Sequence, residues 1–235
     1  MEEDRLAYIL APRSPWGFFL CQEAFSLNKT AKKIRVTDLV ITAMLTAVAV
    51  VLQYIEVSIP LVPSFLKLDF SDIPELIGAF AIGPLGGVAI CFLKNLIHLP
   101  FSGSMGVGEF ANFLLGAVFS LVAGWIYKRK KTKTVALIAC LAGALSMALV
   151  SLPANYYIVY PFYARLWAAG DMQVIIGMYK TLLPVSDTLL KSLLIFNLPF
   201  TFGKGLIDAL VTMLIYKPLS KAFRQLDQSI AKKNA

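Results

Sequence analysis

The chain has 235 residues, of which 58% are hydrophobic and 15% charged, with a formal net charge of +8. A soluble domain of this length carries about 25% charged residues, and the apolar stretches here approach the roughly 20 residues that cross a bilayer; a single water-soluble core is excluded. Nucleic acid is not the implied partner either. Lys and Arg collect at Lys29, Lys32, Lys33 and Arg35, over 128–133 and over 217–233. These are the flanks of apolar segments, where basic residues set topology. The implied class is all-α: a polytopic protein of the lipid bilayer, a compact bundle of six transmembrane helices.

In chain order, residues 1–30 form a poorly defined N-terminal extension that mixes charges with Pro12 and Pro15. Its apolar run from Trp16 to Leu20 is too short to span a bilayer, and no cleavable signal pattern frames it. The membrane domain is expected over 31–220, with a basic cytoplasmic tail over 221–235. The first span covers about 36–55 and is followed by a loop over 56–72 carrying Pro60, Pro63, Asp69 and Asp72. A short second span, about 73–82, closes at Gly83-Pro84, and a third runs from Leu85 through Lys94 and Asn95 to His98. A turn over 100–106 leads to span four, about 107–127, and span five covers about 134–160. Residues 161–197 read as a long connection with amphipathic pieces around 172–183 and 188–196, parted by Pro184; the last span is about 198–216.

With six spans, the three basic segments fall on one side, which the distribution of Lys and Arg makes the cytoplasm. Both termini are therefore expected there. The other side receives loops 56–72, 100–106 and 161–197, which are poorer in Lys and Arg and richer in Pro, Asp and aromatics.

Ionisable and amide side chains at membrane depth are costly and mark functional positions by default. The candidates are Glu75, Lys94, Asn95, Glu109, Asn112, Asn155, Asn197, Thr201, Lys204 and Asp208. Most lie near the outward ends of their spans, where Glu109, Asn112, Asn155, Asn197, Thr201 and Lys204 could line one cavity. Convergent amides with one cation suit a neutral ligand rich in hydroxyl, carbonyl and ring-nitrogen groups. Plainer roles stand beside this one. Lys204 and Asp208, four apart on a helix, can neutralise each other; Lys94 and Asn95 can line an interhelical contact; Glu109 and Asn112 can brace a neighbouring helix. Tyr160, Phe162, Tyr163 and Trp167 read first as interfacial belt residues, and they would also offer stacking surface to a flat aromatic ligand.

Missing motifs also discriminate. No GxxxxGK[ST] is present, so no P-loop ATPase is encoded in this chain. With His98 the only histidine, and without HExxH or GxSxG, no catalytic residue is assigned. Cys21, Cys91 and Cys140 are widely spaced and form neither a disulfide framework nor a zinc site. No metal and no cofactor are expected.

Leu61-Val-Pro-Ser-Phe-Leu-Lys-Leu-Asp-Phe-Ser-Asp-Ile-Pro74, Lys94-Asn-Leu-Ile-His98, Gly108-Glu-Phe-Ala-Asn112, Asn155-Tyr156 and Pro199-Phe-Thr-Phe-Gly-Lys-Gly205 resemble, in this order, the riboflavin-specific S components of energy-coupling factor (ECF) transporters. The resemblance covers about residues 35–220. It implies a six-helix subunit of the bacterial cell membrane that captures riboflavin on the external face. A scaffold membrane protein and two ATPase subunits would supply the energy. Ala43 and Ala47, in the Ala-x-x-x-Ala face of the first helix, would dock the scaffold. The loop containing Leu66, Asp69 and Phe70 would lid the ligand, and Asn155, Thr201 and Lys204 would meet its polar edge and ribityl chain. Relatives of that family commonly read Pro-Phe-Asn where this chain has Pro199-Phe200-Thr201; Asn197, one turn earlier, offers an amide in compensation. Two other classes differ in prediction: an ion-coupled secondary carrier would transport alone, and a membrane enzyme would need an essential acid or base, with Glu109 the first suspect. An S component for another vitamin is the third alternative.

Overall fold

The computed structural model describes residues 35–60, 62–63, 66–167 and 170–233. The expectations for residues 1–30, for Cys21 and for the lysines before Arg35 lie outside the described residues. The architecture from Thr37 onward is helical, with one small two-stranded sheet.

Helix α1, Val36–Tyr54, is 19 residues of almost continuous apolar sequence. Loop 56–72 follows, and within it β1 (Val57–Ser58) pairs antiparallel with β2 (Lys67–Leu68), Val57 opposite Leu68 and Ser58 opposite Lys67. Helix α2, Asp72–Ala81, has only ten residues. Gly83 has a φ of 126°, open to glycine but strained for other residues, and turns the chain into α3, Pro84–His98, with Pro84 at its first position. A short 3-10 turn, Leu99–Phe101, leads towards α4, Val107–Arg129. Helix α5, Lys133–Ala154, starts on a Thr132 cap whose side chain accepts from the Val135 amide.

Five helical stretches are long and apolar enough to cross a membrane: Val36–Tyr54, Pro84–Phe101, Val107–Arg129, Lys133–Leu166 and Leu189–Tyr216. The sixth embedded helix, α2, is too short to span alone, and its position explains why. Nine of its ten residues are buried, so it faces neighbouring helices on every side instead of lipid. It packs on α3, on α4 and on the last helix. Gly87 makes room for it: a Cβ there would lie 2.8 Å from both the Ala79 Cβ and the Glu75 carbonyl oxygen.

Two boundaries differ from those read in the sequence. Span five does not stop near residue 160. A π-turn, Asn155–Val159, carries α5 directly into α6, Tyr160–Trp167. The last span begins earlier than residue 198: α8, Leu189–Ser192, passes through a second π-turn, Leu193–Asn197, into α9, Leu198–Lys233. Only α7, Met172–Lys180, stands as a separate amphipathic piece. Both π-turns lie within two residues of a proline, Pro153 and Pro199. Proline lacks the N–H that the preceding turn needs, and a local widening of the helix absorbs that loss. The sequence reading carried span five through Pro153 but stopped it before Pro161 and began the last span at Leu198, before Pro199; Pro153 and Pro199 here accompany widenings inside continuous helices.

Three apolar clusters hold the bundle. Leu76, Phe80, Phe119, Ala144 and Met147 join α2, α4 and α5. Val159, Tyr160, Ile176, Tyr179 and Leu193 join the π-turns to α6 and α7. Ile41, Leu45 and Ala49 seat α1 on Ile73, Ile77 and Ile90.

Candidate functional site

A buried ion network forms at the N-terminus of α2. Asp72 and Glu75, three apart on one face of that helix, both reach Lys94 of α3. The Lys94 Nζ is 3.0 Å from Asp72 Oδ1 and 2.5 Å from Glu75 Oε1, and it also donates to the Ser71 hydroxyl. Lys204 of α9 closes the other side, 2.8 Å from Asp72 Oδ2 and 3.2 Å from Asp69 Oδ2. Asp72 thus bridges two ammonium groups from two different helices. Buried charges persist when they are paired and hydrogen-bonded in this way. Gly116 provides the space: a Cβ there would stand 2.7 Å from Glu75 Oε2. The pairing of Lys204 with Asp208 expected from their i, i+4 spacing gives way to these loop and α2 carboxylates. The Asp208 oxygens have no hydrogen-bond partner among the described residues.

Asp69 lies in the loop, outside the spanning helices. Burial alone would raise its carboxyl, but Lys204, Lys94 and two hydrogen bonds from Ser71 outweigh it and hold Asp69 at about 2, below the usual 3.8. A depressed carboxylate stabilises the fold above its unfolded value, and that contribution disappears as pH falls through the folded value. Thermal unfolding in detergent should therefore show stability falling between about pH 4 and pH 2. Asp69→Asn should flatten that stretch of the profile, and an unchanged slope would contradict the pairing.

The ion network floors a cavity of about 520 Å³, within the range of small-molecule sites. It opens at one end of the bundle, where α1, α3 and α5 finish and α2, α4 and α9 start. The basic turn over 130–132 lies at the opposite end of α4 and α5. Leu115, Met147, Val159 and Phe200 give the cavity apolar wall. Asn112, Asn155 and Thr201 also line it. Asn155 is 6% exposed. Among the described residues, none of these three side chains makes a hydrogen bond to another residue. Three polar groups with unused bonding capacity, set among apolar walls, are what an uncharged polar ligand requires.

A second cluster shapes the rim. His98 Nδ1 lies 2.9 Å from Glu109 Oε1, while the Ser102 and Ser104 hydroxyls donate to Glu109 Oε2 at 2.5 and 3.2 Å. Glu109 thereby ties the end of α3, the following turn and the start of α4 together. Tyr54 packs on the His98 ring at 4.8 Å between centroids. From the loop side, Leu66 and Lys67 reach the cavity, and Lys67 pairs with Glu56.

Of the ten ligand positions read from the sequence, eight line this cavity: Leu66, Asp69, Glu109, Asn112, Asn155, Asn197, Thr201 and Lys204. Phe70 instead packs against the apolar cluster around Ile41 and Ile73, and Glu75 lies beneath the floor, fully buried on Lys94. Asn197 reaches the lining but its amide is engaged. Tyr179 donates to Asn197 Oδ1 at 2.6 Å, and Asn197 Nδ2 donates to Tyr160 at 2.7 Å. Ala43 and Ala47 lie on the exposed side of α1 beside Met44 and Val48. The sequence reading did not place Gln53, Tyr54 or His98 at the site, and it read Tyr160 and Tyr163 first as membrane-belt residues and second as stacking surface for a flat ligand; all five line the cavity. A polar Gln53 closing an otherwise apolar span was the available signal; its amide donates to Asn95 Oδ1 at 3.1 Å.

Residues 37–216 match the family described as ECF transporter, substrate-specific component. The chain belongs to that family. The match begins at the first residue of the helical unit and ends before the basic tail. This S component is 33% identical over 188 residues to the riboflavin transporter RibU of Staphylococcus aureus, covering 80% of this chain and 93% of the relative. It is 30% identical over 196 residues to the riboflavin transporter FmnP of Bacillus subtilis, covering 82% and 96% respectively. A solved structure of the S component of a bacterial ECF transporter superposes with a TM-score of 0.61 at 32% identity, covering 78% of this chain and 95% of that one. The S component is thus a multi-pass membrane subunit of a transporter, and its family role is substrate binding.

Proposed function

We propose that this S component captures riboflavin at the outer face of the cell membrane for uptake by an ATP-driven ECF transporter. The observation that carries the reading is likeness over four fifths of the chain to proteins named riboflavin transporters. The cavity supports it chemically. Riboflavin joins a flat apolar ring system to a polyhydroxyl chain, and the cavity sets Asn112, Asn155 and Thr201 among Met147, Val159 and Phe200. Lys204 and Asp69 would meet hydroxyl groups at the floor, and Leu66 on the loop would cover the ligand.

Two ATPase subunits and a scaffold membrane protein would supply the energy, since this chain carries no nucleotide motif of its own. Ala43 and Ala47, small and exposed, let a scaffold helix approach α1 closely. The basic turn over 130–132 belongs in the cytoplasm by the charge rule, which sets the cavity outside and both termini inside. No catalytic role and no cofactor enter this reading.

The test is binding. Protein purified in detergent should carry yellow flavin, and stripped protein should quench riboflavin fluorescence with one-to-one stoichiometry. Folded, stripped protein that ignores riboflavin would end the ligand assignment and leave the family standing.

A further inference from the structure

The end of the bundle opposite the cavity carries charge that the ion network does not use. Lys128, Arg129, Lys130, Lys131 and Lys133 crowd the turn between α4 and α5, and all are exposed. No Asp or Glu occurs from residue 110 to residue 170, so this helix pair supplies no carboxylate of its own. The ion pairs among the described residues lie elsewhere: in loop 56–72, at the cavity floor and rim, and between Asp187 and Lys191. These cations are therefore uncompensated among the described residues.

A cationic turn alone would suit any polyanion, and what lies below it narrows the partner. Tyr127 turns inward onto Phe80 and Tyr216, whereas Trp125, one turn inside the end of α4, is 57% exposed with the Arg129 guanidinium 3.9 Å over its ring. An exposed indole at that depth takes the level of the membrane interface. Further in, Leu121 of α4 and Leu137, Ile138 and Leu141 of α5 are exposed and apolar. In a bilayer that surface is lined by acyl chains, which brings the headgroups of the same lipids against the lysines. A zwitterionic headgroup also presents its own ammonium to them; an anionic one presents only its phosphodiester.

We propose that the α4–α5 turn, with Trp125, is a binding site for anionic phospholipid headgroups and selects them over zwitterionic ones. Lys130 and Lys131, in the connection between the two helices, supply charge that the fold itself does not need. The site is remote from the cavity and independent of the riboflavin reading.

Trp125 reports occupancy of its own surroundings. The full-length protein is reconstituted in phosphatidylcholine vesicles containing increasing brominated phosphatidylglycerol or brominated phosphatidylcholine, which quench tryptophan fluorescence on contact. The Trp125 contribution is the difference between the parent protein and Trp125→Phe. At low salt, brominated phosphatidylglycerol should reach half-quenching at a roughly five- to tenfold lower mole fraction, and about 1 M salt should bring the two lipids close to parity. Lys130→Gln with Lys131→Gln should reduce the preference to about twofold or less, with the unfolding midpoint unchanged. Equal quenching by the two lipids in the parent overturns the site, as does a preference that salt leaves intact. A preference that survives in the double variant overturns the assignment to this turn. Inorganic phosphate that relieves the quenching more than chloride of the same ionic strength would mark a site for free anions and overturn the lipid assignment.

Discussion

Lys94→Met should leave little folded protein. The Lys94 side chain is fully buried, and its ammonium is the contact for Glu75 Oε1 at 2.5 Å and for Asp72 Oδ1 at 3.0 Å. Asp72 keeps Lys204 after the substitution, but Glu75 loses its cation and retains the Ser120 hydroxyl, at 3.4 Å, and the Cys91 thiol, neither of them charged to match it. Breaking a buried ion pair from one side costs about 3–5 kcal/mol, because the remaining charge stays in a medium that cannot solvate it. That is a large share of the roughly 5–15 kcal/mol that holds a typical domain together. The measurement is monodisperse yield in detergent and the midpoint of thermal unfolding. Lys94→Met with Glu75→Met should recover part of the loss, since replacing both partners by apolar groups removes the stranded charge. A single variant as stable as the parent would mean that the network contributes nothing to the fold.

The position of that network explains much of what was legible in the sequence. Membrane residence followed from composition, and the spans followed from apolar length, because lipid imposes both directly. The polar side chains stood out for the same reason: Asn155, Thr201 and Lys204 interrupt apolar runs where each interruption needs a partner or a ligand. Their partners could not be read. Lys204 and Asp208 share a helix face by spacing, yet Lys204 turns to Asp69 and Asp72, which are more than 130 residues away in sequence. Tertiary pairing across helices leaves no local periodicity. Phe70 and Glu75 illustrate the complementary difficulty. Both adjoin true lining residues, Asp69 and Asp72, but one turns into the α1 contact and the other into the floor. Helix continuity was obscured at Pro161 and Pro199, where the sequence reading stopped one span and started the next, since proline most often ends a helix.

Those π-turns set up the clearest contrast between two asparagines, one free to meet a ligand and one already committed. Asn155 opens the first π-turn and Asn197 closes the second, and both are almost fully buried at the cavity. Asn155→Ala should weaken riboflavin binding roughly ten- to hundredfold, the size expected when a desolvated ligand group loses its hydrogen-bond partner. Its unfolding midpoint should stay close to that of the parent, because no protein hydrogen bond is lost among the described residues. Asn197→Ala should behave in the opposite way. It removes the amide from a buried trio in which the Tyr160 and Tyr179 hydroxyls also hydrogen-bond to each other, with Asn197 bridging them at 2.7 and 2.6 Å between α6 and α7. Each hydroxyl loses one partner and keeps the other tyrosine, so the loss is about 1–3 kcal/mol in all. A lowered unfolding midpoint should therefore be its primary effect, with weaker binding following from displacement of Tyr160 in the cavity wall. Fluorescence quenching and thermal unfolding on the same two preparations separate the roles. Equal loss of midpoint in both variants would mean that Asn155 is also a brace, and the ligand's polar contact would then shift to Asn112 and Thr201.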